Sequence, residues 1–600
     1  SKQLEAEGVE EIAIITDEIE KYGDRGGFSR NSKVYDRKNI IDVQIELSKI
    51  NGTTVIIYDQ TCAAEKRRRR KKGILEEPKK KIFINKDLCE GCGDCGIQSN
   101  CVSIAPVETE YGRKRQIDQS SCNKDYTCVD GFCPSFVSLE GDIRLKKNYD
   151  DNLINKINSK IDDPILPQID KSFGIMIAGI GGTGVVTIGA VLATAAQIDG
   201  KGSGVLDMTG LAQKGGAVKS FLRIYEKPED IGAIRLSYGD TNLLLGFDLL
   251  VSNDLEIIKT LDKKISKLIV NTDEVMPGDF TRDKNFYLPF DEMRDNLINI
   301  AGQENIKFIS SNKITSKILG NSILSNMFNV GVAYQAGLIP ISASSIEKAI
   351  ELNGASVKDN IDAFRFGRHY ENLKEEVVDI IKDEPEVLDG FDEKYKNRFK
   401  FLEDYQNIKY AEKFGDLVSF ARKIDKNIGN GSQFSTAVLK NYFKLMAYKD
   451  EYEVSRLMTN KKFVDDVNKN FEGNFNYNFY LAPPIFSKKS KVDGKLLKVK
   501  FGGWLFNVFK LLSKFKFLRG TKLDPFGYLN ERKKERELIR DYKETITDIG
   551  IKINKSNYET AVKIASIPDQ IRGFGHVKEK NIKEAINYRT DLLNSFHENT

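Results

Sequence analysis

The spacing of apolar residues near the amino end of the chain predicts alternating strands and helices. The apolar runs at 12–15 and 54–58 have the length of buried strands, and an amphipathic stretch from Val43 to Ile50 lies between them. The basic run Lys66–Lys72 follows, together with the lysine-rich segment 78–81. We therefore predict the end of an α/β domain plus an exposed basic linker for residues 1–80.

The rest of the chain falls into three further regions by the same criterion. Residues 82–145 have little hydrophobic periodicity and contain seven cysteines between Cys89 and Cys133, which is typical of a small domain held together by metal. A second α/β domain is predicted for residues 172–370. Residues 371–600 place apolar side chains at helical spacing and are predicted to be mostly α. No internal repeat is evident.

Composition limits the classes of partner. The chain has 600 residues, and its 92 basic and 87 acidic side chains leave a net charge of only +5, so we expect no nucleic-acid partner. No apolar run reaches bilayer-spanning length and no export leader is visible, so we expect no membrane contact and a cytoplasmic location. The first residue is Ser rather than Met, which suggests part of a longer chain.

Two local stretches leave alternatives open. The run Lys66–Lys72 has no interleaved aromatic side chains, which favours a linker over a nucleic-acid patch. The aromatic and basic stretch Phe501–Phe517 is of a kind found in interfacial membrane helices and, more commonly, in protein cores.

The cysteine spacing indicates an iron–sulfur cluster. Cys89, Cys92 and Cys95 form C-x2-C-x2-C, and Cys133-Pro134 follows at a distance, as in proteins that bind a 4Fe–4S cluster. The alternative, a structural zinc site, usually pairs two C-x2-C hooks and does not need a third cysteine three residues on. We predict that these four cysteines are the cluster ligands.

Three more cysteines lie where a second cluster would find its ligands: Cys101, Cys122 and Cys128. A second cubane would need a fourth ligand, from Cys62, from a group other than cysteine or from another chain. The alternative is that these three cysteines are small buried apolar side chains.

A glycine-rich turn opens the second α/β domain. Gly179, Gly181, Gly182 and Gly184 lie between a predicted strand and a predicted helix, and Asp207 is predicted to end the next strand, where its carboxylate would accept from a ribose hydroxyl. Taken alone, this pattern predicts a dinucleotide cofactor. A turn that only packs or faces a phosphate has the same pattern, because a fold-level fingerprint does not fix its ligand.

Longer strings resemble the fused indolepyruvate ferredoxin oxidoreductases over essentially the whole chain. The strings are Tyr58–Arg70, Cys89–Cys95, Gln119–Asp125, Gly131–Pro134, Gly179–Gly184, Leu211–Gly216, Leu481–Pro484, Leu523–Gly527 and Ile571–Lys578.

This resemblance implies the fold class: a multidomain α/β protein in which a ferredoxin-like iron–sulfur domain (82–145) lies between a thiamine diphosphate domain and a gamma-type domain, followed by a mostly α carboxyl-terminal region. In the family an aryl pyruvate is decarboxylated with thiamine diphosphate and Mg²⁺. The acyl group passes to coenzyme A, and electrons pass through 4Fe–4S centres to ferredoxin.

The thiamine motif, an acidic Gly-Asp-Gly followed by Asn, is not found in the sequence. We therefore expect the catalytic site elsewhere in the enzyme, inactivity of this part alone, and a homo-oligomer. The family carries the Gly179–Gly184 turn without a nicotinamide. Two alternatives remain: an NAD(P)-linked iron–sulfur reductase and a non-catalytic zinc-bound scaffold.

Overall fold

The structure of the protein is a computed structural model that describes residues 1–23, 27–71, 73–146, 151–210, 215–381, 388, 390–429, 431–483 and 496–598. Residues 211–214 and 484 of the family strings lie outside this set. The chain divides into two compact units, residues 1–77 with 123–125, and residues 78–122 with 126–600. Among the helices described, none is long and apolar enough to cross a bilayer.

The first unit contains a three-stranded parallel sheet in the order β2-β1-β3. Both predicted strands are present, and β1 is buried from Ile12 to Thr16. Val43 and Leu47 of α2 cover Ala13 and Ile15 of β1. The elements of this unit are α1 Lys2–Ala6, β1 Glu11–Thr16, β2 Ser32–Asp36, α2 Ile40–Leu47, β3 Thr54–Asp59 and α3 Ala63–Lys71.

The basic run Lys66–Lys72, which was predicted as an exposed linker, is helical at 66–71, where it belongs to α3. Glu65 in the first turn forms ion pairs with Arg68 at 3.4 Å and with Arg69 at 3.1 Å. Pairs three and four residues apart stabilise a helix, and they offset the repulsion between neighbouring cations. Lys72 lies outside the described residues.

Residues 78–145 form two antiparallel strand pairs. The first strand of the region pairs with the last, so that Ile84 lies opposite Phe136, and the two middle strands pair, so that Ile104 lies opposite Ile117. The cysteines lie in the loops and short helical turns between the strands. The elements are β4 Lys80–Ile84, α4 Asp94–Ser99, β5 Ile104–Val107, β6 Lys114–Ile117 and β7 Phe136–Leu145, with a 3₁₀ turn at Thr127–Asp130.

The next region is a six-stranded mixed sheet in the order β13-β12-β11-β8-β10-β9. Strands β8, β11, β12 and β13 are parallel, and β10 is antiparallel to both of its neighbours. The elements are α5 Asp151–Ile157, β8 Phe173–Ile180, α6 Val185–Ile198, β9 Gly202–Thr209, β10 Ala217–Tyr225, β11 Leu243–Gly246, α7 Leu249–Ser252, α8 Leu255–Ile258, β12 Lys267–Asn271, α9 Phe290–Ala301, β13 Ile306–Ile309, α10 Ser311–Ile318, α11 Ser325–Gln335, α12 Ala343–Asn353 and α13 Val357–His369.

Both faces of this sheet are covered by helices. Ile175 and Ile177 of β8 belong to a core shared with α6 and α10–α13, whereas Met176 and Ala178 belong to a core on the other face with α7–α9. Alternate residues of a strand point to opposite faces, so an uninterrupted apolar run is what a strand buried on both faces requires. The α/β prediction for this region is therefore confirmed.

The carboxyl-terminal region is mostly α, as predicted, with two strands as the exception. β14 pairs with β7 over nine residues, from Phe471 opposite Leu145 to Phe479 opposite Val137, and extends the cysteine-rich region's sheet to β15-β14-β7-β4. The elements are α14 Lys374–Ile381, α15 Phe391–Tyr405, α16 Ile408–Ile428, α17 Gln433–Met446, α18 Glu451–Thr459, α19 Lys461–Asn470, β14 Phe471–Leu481, β15 Val499–Phe501, α20 Leu505–Leu512, α21 Asn530–Lys552, α22 Tyr558–Ser566 and α23 Gly575–Glu598.

Part of the aromatic stretch Phe501–Phe517 belongs to a core. Leu505 and Phe509 of α20 are buried against Phe479 of β14, whereas Trp504 and Phe517 are exposed. The packing alternative therefore accounts for the apolar face of α20.

A buried carboxylate braces the glycine-rich turn. Asp248 is 2% exposed, and its two oxygens accept the backbone N–H groups of Ile180 and Val251, both at 2.7 Å. The first bond fixes the end of β8, and the second caps α7. Burial raises the pKa of Asp248 to about 6 from an ordinary value of 3.8.

We predict a matching pH dependence of stability. The folded state favours the protonated form of Asp248. The stabilisation from this protonation is complete below the unfolded pKa of 3.8, and it is lost as the pH rises through about 6. The loss amounts to about 3 kcal/mol. Asp248→Asn should remove this fall from urea midpoints measured across that pH range.

Asp254→Asn is the control. Asp254 caps α8 through the N–H of Glu256, and despite partial burial its pKa is lowered by Lys219. Asp254→Asn should therefore leave the fall of stability between pH 3.8 and about 6 unchanged. An unchanged slope in Asp248→Asn would contradict the assignment.

Candidate functional site

The structure brings the four predicted cluster cysteines together between β4, α4 and β7. Cys89, Cys95 and Cys133 are 5–7% exposed and share one buried cluster. Burial raises the pKa of Cys92, and the charges of Cys133, Cys95 and Cys89 raise it further. All four thiols therefore lie close enough to interact electrostatically. Their role as metal ligands stays a prediction.

Glycines let the backbone approach these thiols closely. Gly91 and Gly93 have left-handed backbones, with φ of 63° and 81°, and the N–H of Gly91 donates to Cys89 Sγ at 3.4 Å. A Cβ at Gly131 would lie 2.8 Å from the Cα of Cys95. Backbone donors at sulfur are what an anionic cluster needs, so the loop fits a 4Fe–4S group.

In the part of the chain that the structure describes, no three His, Cys, Asp or Glu side chains are arranged to hold one metal ion. A 4Fe–4S cluster needs a different arrangement from a single ion. Each of the four thiolates binds a different iron atom, so the sulfur atoms lie farther apart around the cluster.

Cationic side chains surround the four thiols. The Arg115 guanidinium is 3% exposed, and although burial lowers its pKa, the charges of Cys89 and Cys95 oppose that shift. Lys498 donates to the carbonyl oxygen of Cys133 at 2.9 Å. Cations at these positions would favour an anionic group among the thiols.

A second group of cations surrounds Glu90, which lies between Cys89 and Cys92. Burial alone would raise the pKa of Glu90, but four lysines hold the pKa of this carboxyl well below its usual range. They are Lys114, Lys444, Lys449 and Lys578. Three of the four come from the carboxyl-terminal region, and with Glu90 these three border a cavity of about 20 Å³, which has room for about one water.

The family string Ile571–Lys578 covers the cysteine loops. A Cβ at Gly573 would lie 3.4 Å from the Cβ of Cys92, and one at Gly575 would lie 2.5 Å from the Phe132 ring. The His576 ring packs on Phe132, with centroids 4.7 Å apart. The sequence assigned no role to this region, because its contact with the cysteines spans more than 400 positions of the chain.

The segment 280–286 of the six-stranded domain contacts both the first cysteine loop and β6. Arg115 donates to the carbonyl oxygen of Lys284 at 3.3 Å and stacks on Phe280, 4.5 Å from its centroid. A Cβ at Gly96 would lie 2.8 Å from the carbonyl oxygen of Thr281. The six-stranded domain and the carboxyl-terminal region thus both contact the cysteine-rich segment.

Of the three remaining cysteines of the region, Cys128 belongs to the same core and Cys101 packs against it. Cys128 is 7% exposed, and its charge contributes to the raised pKa of Cys95, after burial and the charges of Cys89 and Cys133. Cys101 and Cys122 are partly buried. Ser103 donates to the carbonyl oxygen of Ser121 at 2.9 Å, which brings the segments of Cys101 and Cys122 together.

Some polar groups of the glycine-rich turn form hydrogen bonds within the protein. The N–H of Gly181 donates to Gly216 at 2.6 Å, and the side chain of Asn326 donates to Thr183 at 3.1 Å. A Cβ at Gly179 would lie 3.0 Å from the Cβ of Phe247. Gly182 and Gly184 have φ of 89° and 107°, and Gly184 begins α6. These contacts support the packing alternative, and cofactor binding by the turn stays untested.

The predicted position of Asp207 was wrong. Asp207 lies inside β9, which continues to Thr209, and β10 separates β9 from β8. In a dinucleotide fold the acidic residue ends the strand next to the first one. Strand order, which the sequence pattern does not contain, removes this support for NAD(P).

The chain matches two families over about a third of its length each. Residues 174–370 match "Pyruvate ferredoxin/flavodoxin oxidoreductase", and residues 391–590 match a "Family of unknown function (DUF6537)".

Indolepyruvate oxidoreductase subunit IorB of Methanothermobacter thermautotrophicus is 28% identical over 200 residues, which are 33% of this chain and 96% of that protein. The same subunit of Archaeoglobus fulgidus is 25% identical over 195 residues, 32% of this chain and 92% of that protein.

Among solved structures, pyruvate oxidoreductase subunit PORC from Thermotoga maritima is 21% identical, with coverage of 33% of this chain and 96% of its own and a TM-score of 0.24. The family match and the named relatives confirm the resemblance to the indolepyruvate ferredoxin oxidoreductases, and the part of the chain that they match is the region of the six-stranded sheet, residues 174–370.

Proposed function

We propose that this chain is the electron-transfer part of an indolepyruvate-type 2-oxoacid:ferredoxin oxidoreductase. The complete enzyme converts an aryl pyruvate and coenzyme A to the aryl-acetyl thioester and carbon dioxide, and delivers two electrons to ferredoxin. Decarboxylation, with its thiamine diphosphate and Mg²⁺, is assigned to a part of the enzyme outside this sequence.

The convergence of four thiols, three of them buried, carries the proposal. A 4Fe–4S cluster held by Cys89, Cys92, Cys95 and Cys133 would supply a one-electron carrier in a ferredoxin-like domain of residues 82–145. The Gly91 N–H and the cations Arg115 and Lys498 stabilise negative charge there. Charge near the cluster and burial set its reduction potential.

The two flanking regions have separate tasks in this proposal. The segment 280–286 fixes the cysteine loops on the 174–370 domain, which holds them at a constant position within the enzyme. The Ile571–Lys578 string covers Cys92 and Phe132 and keeps water away from them. Exclusion of water lowers the local dielectric and strengthens each charge interaction at the thiols.

Iron and acid-labile sulfide per chain, measured on anaerobically purified protein, test the proposal. We expect at least about four of each and a reduced-cubane paramagnetic signal after dithionite. Cys92→Ser should weaken or abolish that signal, because a hydroxyl is a poorer iron ligand than a thiolate. Cys62→Ser is the matched control, since Cys62 is exposed and belongs to the first unit. Zinc without sulfide would instead support a non-catalytic scaffold.

Substrate preference needs the complete enzyme. Reduction of the cluster by indolepyruvate with coenzyme A should be faster than reduction by pyruvate. Equal rates would contradict the aryl preference but leave the electron-transfer role intact, and cluster reduction by NADH would favour an NAD(P)-linked reductase.

We predict that Lys498 raises the reduction potential of this cluster. Lys498→Met removes a cation next to Cys133, so reduction of the cluster becomes less favourable. The potential should fall on the order of tens of millivolts, with iron content unchanged. A redox titration followed by paramagnetic resonance measures the shift, and Lys498→Arg should retain most of the wild-type value.

Lys500→Met is the control for this titration. Lys500 lies two residues on in β15, and its ammonium pairs with Glu140 at 2.7 Å and is 45% exposed. The potential should not change. Equal shifts in Lys498→Met and Lys500→Met would indicate a general loss of charge rather than a local interaction.

A further inference from the structure

Helix α20 and the turn that follows it have a second apolar face, which is exposed. Five side chains of this face are 40–63% exposed: Trp504, Val508, Leu511, Phe515 and Phe517. Trp504 is the N-cap of α20, and the 3₁₀ turn Ser513–Leu518 continues the helix. The spacing of four, three and four residues from Trp504 to Phe515 places the first four side chains on one line of a helix. We call the five side chains the α20 stripe.

Another face of α20 fixes the helix to the sheet of the cysteine-rich region. The ring of Phe509 packs edge-on against Phe479 of β14, with centroids 5.2 Å apart. Phe506 stacks on Tyr477 of the same strand, with centroids 5.9 Å apart. The α20 stripe is therefore held in place from behind, and its side chains face solvent.

The chain around the α20 stripe carries charge of one sign. Residues 496–523 contain six lysines and one arginine but no Asp or Glu, whereas the whole chain has 87 acidic side chains. Lys510, Lys514 and Lys522 are exposed. Because Lys510 and Lys514 are four residues apart, they are neighbours on the helix surface. The exposed apolar side chains thus lie in a positive local field.

This combination favours a lipid surface over a protein partner. Protein interfaces are depleted in lysine, and a symmetric contact between two copies would bring the lysines of both copies together. Helices that lie in a membrane interface combine Trp, Phe and Leu on one face with lysine on another. Anionic headgroups also attract lysines that lie close to the membrane surface.

We propose that the α20 stripe inserts into the headgroup region of an anionic lipid surface, with Lys510, Lys514 and Lys522 at the lipid phosphates. The expectation of no membrane contact rested on the absence of an apolar run of bilayer length, and an interfacial contact does not need one. The stripe lies within residues 391–590, which match the family of unknown function. The proposal does not depend on the proposed function, because no cluster takes part in it.

Trp504 gives a direct readout, because it is the only tryptophan in the sequence. For the full chain we expect a blue shift of the tryptophan emission, and co-sedimentation, with vesicles that contain phosphatidylglycerol. Vesicles of phosphatidylcholine alone should bind more weakly, since their surface does not attract lysine. Binding should also weaken as the salt concentration rises, because salt screens exposed charges.

Two variants separate the contributions of charge and apolar contact. Lys510→Gln combined with Lys514→Gln should lower the partition coefficient on phosphatidylglycerol vesicles by about 20- to 30-fold, which is about fivefold for each lysine. Leu511→Ser should lower binding to both kinds of vesicle, because it removes an apolar side chain from the stripe.

Matched controls use exposed side chains of other helices. Leu352→Ser removes a leucine that is 65% exposed on α12, close to the 60% of Leu511. Lys580→Gln combined with Lys583→Gln removes two exposed lysines of α23. Both should bind vesicles as the wild type does, and circular dichroism should show the same helix content in every variant.

Absence of vesicle binding by the wild type would overturn the proposal, as would equal losses in the stripe variants and the controls. A dimer in sedimentation velocity that Leu511→Ser dissociates would also overturn it, because a second copy would then cover the stripe. A blue shift with an acidic protein but not with vesicles would identify a protein partner and reject the lipid surface.

Discussion

The antiparallel pairing of β7 with β14 joins two parts of the chain that lie more than 300 positions apart. Nine residue pairs connect Val137–Leu145 to Phe471–Phe479, so the carboxyl-terminal region completes the sheet that carries the cysteines. Because β7 begins three residues after Cys133, this pairing also fixes the last cysteine of the predicted cluster site. The cover formed by Ile571–Lys578 and the lysines around Glu90 depend on the same placement.

Buried charge is the second constraint on this region. Glu90 lies within a cysteine loop, and Lys449 pairs directly with it. Burial of a single charge is costly, and removal of one partner of a buried pair leaves an uncompensated charge. The excess of lysine over carboxylate around the loop favours an anionic group between the cysteines. Residues 391–590, which match a family without an assigned function, supply much of this positive charge.

The 174–370 domain has the glycine spacing of a dinucleotide-binding turn but a different strand order. Its Gly179–Gly184 turn has the dinucleotide spacing, yet Asp248 and Gly216 take up the backbone groups of Ile180 and Gly181 from inside the domain. The antiparallel strand β10 displaces β9 from the neighbouring position that a dinucleotide fold requires. These contacts support the packing alternative for the turn, because a glycine spacing by itself does not fix the ligand of a fold.

The sequence by itself determined the features that depend on short-range pattern. Apolar runs located the buried strands, helical spacing located the carboxyl-terminal helices, and C-x2-C-x2-C followed by Cys133 identified thiols that do converge. The sequence did not reveal the helix at Ala63–Lys71, because the run of basic residues indicated an exposed linker. The ion pair of Glu65 with Arg69, which stabilises the helix, is too weak a signal against such a run. Strand order, the contacts of the cysteine loops and the lysines around Glu90 were decided only by tertiary structure, since each joins residues whose separation along the chain leaves no periodic trace.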